Sequence, residues 1–214
     1  MAVYNKKDFL VHADSVVPTD FKRMGNEPYY VKRVVDRELR MLFSLRQYYP
    51  HSVVIRGIMV NVYIDAIENI FDEVLRISPL ADYTSNEKKD TIGGGGYNIS
   101  GVNYALLDVQ DVEDDTTFAI VLPELEKIVD GALQFYNTFS TLQAIHGHLE
   151  TLPLMQMGNF LQQPMPYRRM ILKKLVEAPD YETYAQSIIN HYTSENLSEE
   201  IAFATTLKAK LDSL

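Results

Sequence analysis

Few residues of this 214-residue chain have the types and spacing that chemistry needs. His146 and His148 form a His-x-His pair with Glu150 close behind, the outline of a metal donor set. On a helix, residues two apart point about 200° apart, so both could reach one ion only if the helix has ended by Gly147. The pair is therefore read as a partner for a helix-end dipole, with no metal and no other cofactor expected. Gly93, Gly94, Gly95 and Gly96 form a run of bare backbone that could cradle an anion. Neither Gly-Lys-Ser/Thr nor a helix-opening Gly-x-Gly-x-x-Gly accompanies it, which favours a hinge or a close passage of backbone past another chain.

Nucleophilic chemistry finds no cysteine and no Gly-x-Ser-x-Gly elbow, while His12, His51 and His191 are scattered. Asp114 and Asp115 are adjacent carboxylates in an acidic loop, where solvation and not a burial-driven split of their pKa values is expected. The reading is of a protein that is not an enzyme and has no catalytic residues. Tyrosine and arginine are the residue types favoured at the centres of protein contacts. Arg33, Arg37 and Arg40, the glycine run, Tyr97 and Tyr104 are accordingly the candidate interaction residues.

Hydrophobic residues make up 46% of the chain and charged residues 23%, enough apolar material for a packed core. The net charge of −9 opposes a simple nucleic-acid coating role. Its distribution is uneven: Lys22, Arg23, Lys32, Arg33, Arg37, Arg40, Arg46 and Arg56 come early, and Asp108, Asp111, Glu113, Asp114 and Asp115 cluster in the middle. That asymmetry suits head-to-tail complementarity between copies, or two different partners. No apolar stretch is long enough to span a bilayer, and residues 1–12 are too short in apolar content for a signal-peptide core.

Positioning elements follow from periodicity and punctuation. Residues 1–27, broken by Pro18, read as an N-terminal extended arm. Asn26 then caps a helix that carries Val31, Val34, Val35, Leu39, Leu42 and Leu45 at helical spacing up to Tyr49-Pro50. Ser52 caps a second helix, with Val60, Ile64, Ile67, Phe71 and Val74 on one face, closed by Pro79. Residues 80–117 lack helical periodicity and read as a long loop or β-hairpin excursion bearing the glycines, and deleting Lys88 to Val109 is expected to leave helicity nearly intact. A third helix starts at Thr116 or Thr117, runs through Leu142 and frays near Gly147. Short helices cover Tyr167 to Val176, basic through Arg168, Arg169, Lys173 and Lys174, then Tyr181 to Tyr192 behind Asp180, and lastly Ser198 onward. The fold class is mainly α: an antiparallel helical bundle over 28–214 with the 80–117 insertion.

This layout over Pro28 to Tyr192 resembles the adaptor or connector ring proteins that sit between portal and tail in tailed bacteriophages. The resemblance implies a ring-forming virion protein whose helices pack radially, whose extended arms reach neighbouring subunits and which carries no catalytic residues. Its partners would be copies of itself and portal or tail components, with non-specific proximity to DNA and no membrane, and it would reside in the virion, or otherwise the cytoplasm. The alternative is a nucleic-acid-binding or regulatory helical module using Lys32 to Arg46 or Arg168 to Lys174, and the third an enzyme of unrecognised type.

Overall fold

A computed structural model describes residues 4–48, 52–80, 90–93 and 99–214. The fold is mainly α, with a five-stranded open sheet added. It divides into two compact units, one built from residues 1–62 and 94–138 and the other from 63–93 and 139–214. No helix among the described residues is long and apolar enough to cross a membrane.

In the first unit the expected extended arm is instead a helix, α1 (Lys6–Val16). Asn5 accepts from the Lys7 amide at 2.8 Å while Asp8 accepts from the Asn5 amide at 2.8 Å, a reciprocal cap that satisfies amides a helix start would otherwise leave unpaired. The helix buries Phe9, Leu10 and Ala13, and that burial offsets its ordering cost where local propensity alone would not.

The helix expected over 28–48 is a pair of strands. β1 (Lys22–Arg23) and β2 (Tyr29–Val34) are joined through a turn in which Gly25 takes φ +68°, a region that excludes most side chains. Asn26 and Pro28 therefore belong to a turn and its exit, not to a helix cap. β2 pairs antiparallel with β3 (Arg37–Tyr48), Val34 facing Arg37 and Arg33 facing Glu38, so that Val35 and Asp36 form a two-residue turn. The residues expected to begin a second helix at Ser52 form β4 (Ser52–Ile64), rich in β-branched residues, and the helix starts only at α2 (Asp65–Arg76).

Among its described residues, the stretch 80–117 forms no free hairpin. Its described part holds β5 (Ile92–Gly93), which completes the strand order β1-β2-β3-β4-β5, and α3 (Tyr104–Val109). Val112 then bridges Val53, the two exchanging amide bonds of 3.0 Å. Ile92, Ile99, Leu107 and Val112 are all buried, so the segment contributes core residues and is not a dispensable projection. The first unit closes with α4 (Asp115–Thr138), in which Asp114 accepts the Thr117 amide at 2.8 Å and Pro123 is accommodated within the helix. Phe118 packs edge-on against Phe9, and Phe21 stacks on Tyr136, whose hydroxyl donates to the Arg40 carbonyl at 2.7 Å.

Among its described residues, the regular elements of the second unit are helices apart from β5 and the end of β4, where the Ile64 amide donates to Thr91 Oγ1 at 2.8 Å. After α2 come α5 (Leu142–Thr151), α6 (Leu154–Phe160), α7 (Met165–Leu175), α8 (Tyr181–Ser194) and α9 (Ser198–Asp212). The expected fraying at Gly147 does not occur: α5, capped by Thr141 accepting from the Ala144 amide, runs on to Thr151. Phe71, Tyr167 and Phe203 form the aromatic centre of this unit, with Tyr167 and Phe203 centroids 4.4 Å apart.

Candidate functional site

The arginines singled out by sequence, Arg33, Arg37 and Arg40, are brought together by the β2–β3 hairpin. Period-two alternation buries Leu39, Met41 and Phe43 on one side of β3. Arg37 and Arg40 are nevertheless also buried, and each is neutralised by an acid beside it: Arg37 Nη2 lies 2.7 Å from Asp36 and Arg40 Nη2 lies 2.6 Å from Glu38. The Arg37 guanidinium holds the Asp36 carboxyl below the usual carboxylate range. Arg33 is exposed on β2 close to the turn. Arg23 and Lys32 are likewise paired, with Asp14 at 2.9 Å and with Asp20.

The hairpin itself ends in an apolar tip. Val35, at the turn, is 99% exposed, a β-branched side chain wholly in solvent where turn chemistry favours Gly, Asn or Asp. The remaining predicted interaction residues lie elsewhere. Gly93 is buried in β5, and Gly94, Gly95, Gly96 and Tyr97 fall outside the described residues. Tyr104 opens α3 and its phenol oxygen accepts the Ile99 amide at 2.9 Å, a bond that orders the chain leading into the helix.

The second unit contains an ionic network that local sequence reasoning missed. Arg168, one of the four basic residues expected on the short helix over 167–176 and part of the alternative nucleic-acid segment, is 0% exposed. Its Nε and Nη2 donate to the two carboxylate oxygens of Glu68 at 2.8 and 2.6 Å, Nη1 donates to the Gln163 carbonyl at 2.6 Å, and the guanidinium carbon stands 4.5 Å from the Phe71 ring centre. Lys173, 1% exposed, donates to Glu150 at 3.0 Å and to Asp180 at 2.8 Å. Arg169 also donates to Glu150, at 2.9 Å, and lies 5.0 Å from the Tyr184 ring. Asp180 is thus spent on Lys173 and makes no cap bond to α8.

The two histidines stand on the continuous helix α5 and face different neighbours. His148 packs against Phe139 and Phe160, with centroids 5.0 and 4.8 Å away, and those two rings touch each other at 4.8 Å. His146 turns its buried Nε2 towards Glu150 Oε1 at 3.6 Å, too far for a hydrogen bond. Burial and the Lys173 charge lower its pKa. No group of three or more metal-ligating side chains gathers among the described residues.

No family model matches the chain, and no curated protein or solved structure does.

Proposed function

We propose that the chain is a structural, interaction-making protein that works within an oligomeric assembly, in its most concrete form as an adaptor ring component between portal and tail of a virion. The exposed tip of the β2–β3 hairpin carries the reading: Val35 stands fully in water, with Arg33 nearby. Removing a valine side chain from water gains about 1.5 kcal/mol or more, and arginine beside an apolar knob is a combination typical of contact centres. The pairing of Arg23, Lys32, Arg37 and Arg40 with neighbouring acids favours a protein partner over a phosphate backbone, because compensated charge releases few counterions from a duplex.

The test compares the wild-type chain with Val35→Asp by native mass spectrometry and light scattering across protein concentration. The wild type is expected to populate oligomers that the variant shifts towards monomer, with the same far-UV circular dichroism. A wild type that stays monomeric throughout and binds duplex DNA with a steep salt dependence would overturn the reading in favour of the nucleic-acid alternative.

A further inference from the structure

Within the second unit, α2, α7, α8 and α9 leave a cavity of about 440 Å³, large enough to receive a protruding side chain and the backbone that carries it. Phe71, Tyr167 and Phe203 give it an aromatic wall. Packing fixes these rings: Tyr167 and Phe203 have centroids 4.4 Å apart, and the Arg168 guanidinium, held by Glu68, stands 4.5 Å from the Phe71 ring centre.

The turn between α8 and α9 sets the margin of the cavity. Asn196 takes φ +56° there, the left-handed conformation in which many helices end. Its amide donates to the Thr193 carbonyl at 3.2 Å, and the Leu197 amide donates to the Tyr192 carbonyl at 3.0 Å, the pair of bonds that closes such a helix stop. The stop ties Leu197 to Tyr192, and both residues line the cavity, with Leu197 39% exposed. Carboxylates gather at the same turn. Glu200 lines the cavity, and Glu195 and Glu199, on either side of Leu197 in the chain, are exposed. An apolar space with a negative margin is complementary to an apolar knob carried beside positive charge.

The chain itself presents such a knob. Val35, at the β2–β3 turn, is 99% exposed, and Arg33 is exposed two residues before it. Asp36 is balanced by Arg37 and Glu38 by Arg40, so that with Arg33 the tip is net positive. We infer that the hairpin tip of one copy seats Val35 in this cavity of a second copy, with Arg33 set against Glu200. The contact joins different surfaces of two copies, a heterologous arrangement that leaves one tip and one socket open and so propagates. It rests on the reading of Val35 as an assembly contact and names the surface that receives it.

Sedimentation velocity of the full chain tests this with two variants, Val35→Asp, which spoils the tip, and Leu197→Trp, which fills the socket. The wild type is expected to associate as its concentration rises, and each variant to stay monomeric with an unchanged far-UV circular dichroism spectrum. Mixed in equal amounts, the two variants should form an equimolar dimer and stop there, because one brings the intact socket and the other the intact tip. Arg33→Glu and Glu200→Arg should each weaken wild-type association about fivefold, and the two combined in one chain should restore it. Association lost in Val35→Asp but kept in both Leu197→Trp and Glu200→Arg would leave the assembly reading standing, assign the cavity to another occupant and overturn the proposal. Two monomeric variants that fail to pair on mixing would overturn it as well. A wild type that stays monomeric throughout would overturn both this contact and the assembly reading. Should Leu197→Trp lose helicity, the Arg33 and Glu200 exchange decides alone, and association left unrestored by the double variant sinks the proposal.

Discussion

Glu68 and Arg168, one hundred residues apart in sequence, meet through two parallel hydrogen bonds of 2.8 and 2.6 Å with both side chains almost completely withdrawn from water. The pair ties α2 to α7. Burial works against the ionised carboxylate, and the bidentate guanidinium opposes that penalty.

Breaking this pair from one side should be far worse than replacing both partners. Arg168→Met strands a buried carboxylate and is expected to cost about 3–5 kcal/mol in urea denaturation followed by circular dichroism. The double variant Arg168→Met with Glu68→Leu should recover most of that loss. A single-variant cost below about 1 kcal/mol would mean that the carboxylate regains water or takes up a proton easily.

His146 gives stability a pH dependence of definite sign. Its folded pKa lies below the ordinary histidine value because burial and Lys173 disfavour the imidazolium, with Arg169 acting the same way and Glu150 and Asp180 opposing them. The unfolded chain therefore binds the proton first as pH falls below about 6.5. The stability that the neutral ring contributes is full above that pH and declines as pH drops towards the folded pKa. His146→Leu should flatten this part of the melting temperature profile between pH 7 and 5, and an unchanged slope would assign it to other groups.

Gly131 on α4 is a packing requirement. A Cβ added there would stand 2.3 Å from Ile99 Cγ2, well inside contact distance. Gly131→Ala gains up to about 1 kcal/mol of helix propensity but overpacks the site, which typically costs about 1–3 kcal/mol. The net result expected in thermal melts is destabilisation, partly relieved when Ile99→Ala is added. A stabilised single variant would show that Ile99 moves aside freely.

Residues 88–109 should not be removable without damage. Deletion takes out Ile92, Ile99 and Leu107, together with the Thr91 hydroxyl that accepts the Ile64 amide, so both units lose buried groups. Far-UV circular dichroism of the deletion should show a substantial loss of helicity, whereas a spectrum close to wild type would restore the view of this stretch as a projection.

The C-terminal helices were legible because their signals agree: apolar spacing, flanking prolines and polar starts place α7, α8 and α9 within a few residues of expectation. The sheet was misread because Val35, Leu39, Leu42 and Leu45 satisfy helical spacing while Leu39, Met41 and Phe43 satisfy alternation, and both patterns occupy the same residues. The Val35-Asp36 turn carries no Asn-Gly or Asp-Gly signal to decide between them. In β4, the run Ile58, Val60, Val62 and Ile64 did alternate, and its β-branched content was the available clue. Arg168 and Lys173 looked like surface bases because the Glu68 that pairs with Arg168 lies far away in sequence, and no local pattern reveals such a pairing.

The backbone passes between the two units three times, at 62–63, 93–94 and 138–139, the first time inside a single strand. Neither unit is thus a continuous stretch of polypeptide, and a ribosome emitting this chain cannot complete the first until α4 has emerged, by which point the second has supplied, among the described residues, the end of β4, α2 and β5. Maturation of the two is interleaved in time, and no single proteolytic nick could release either one intact.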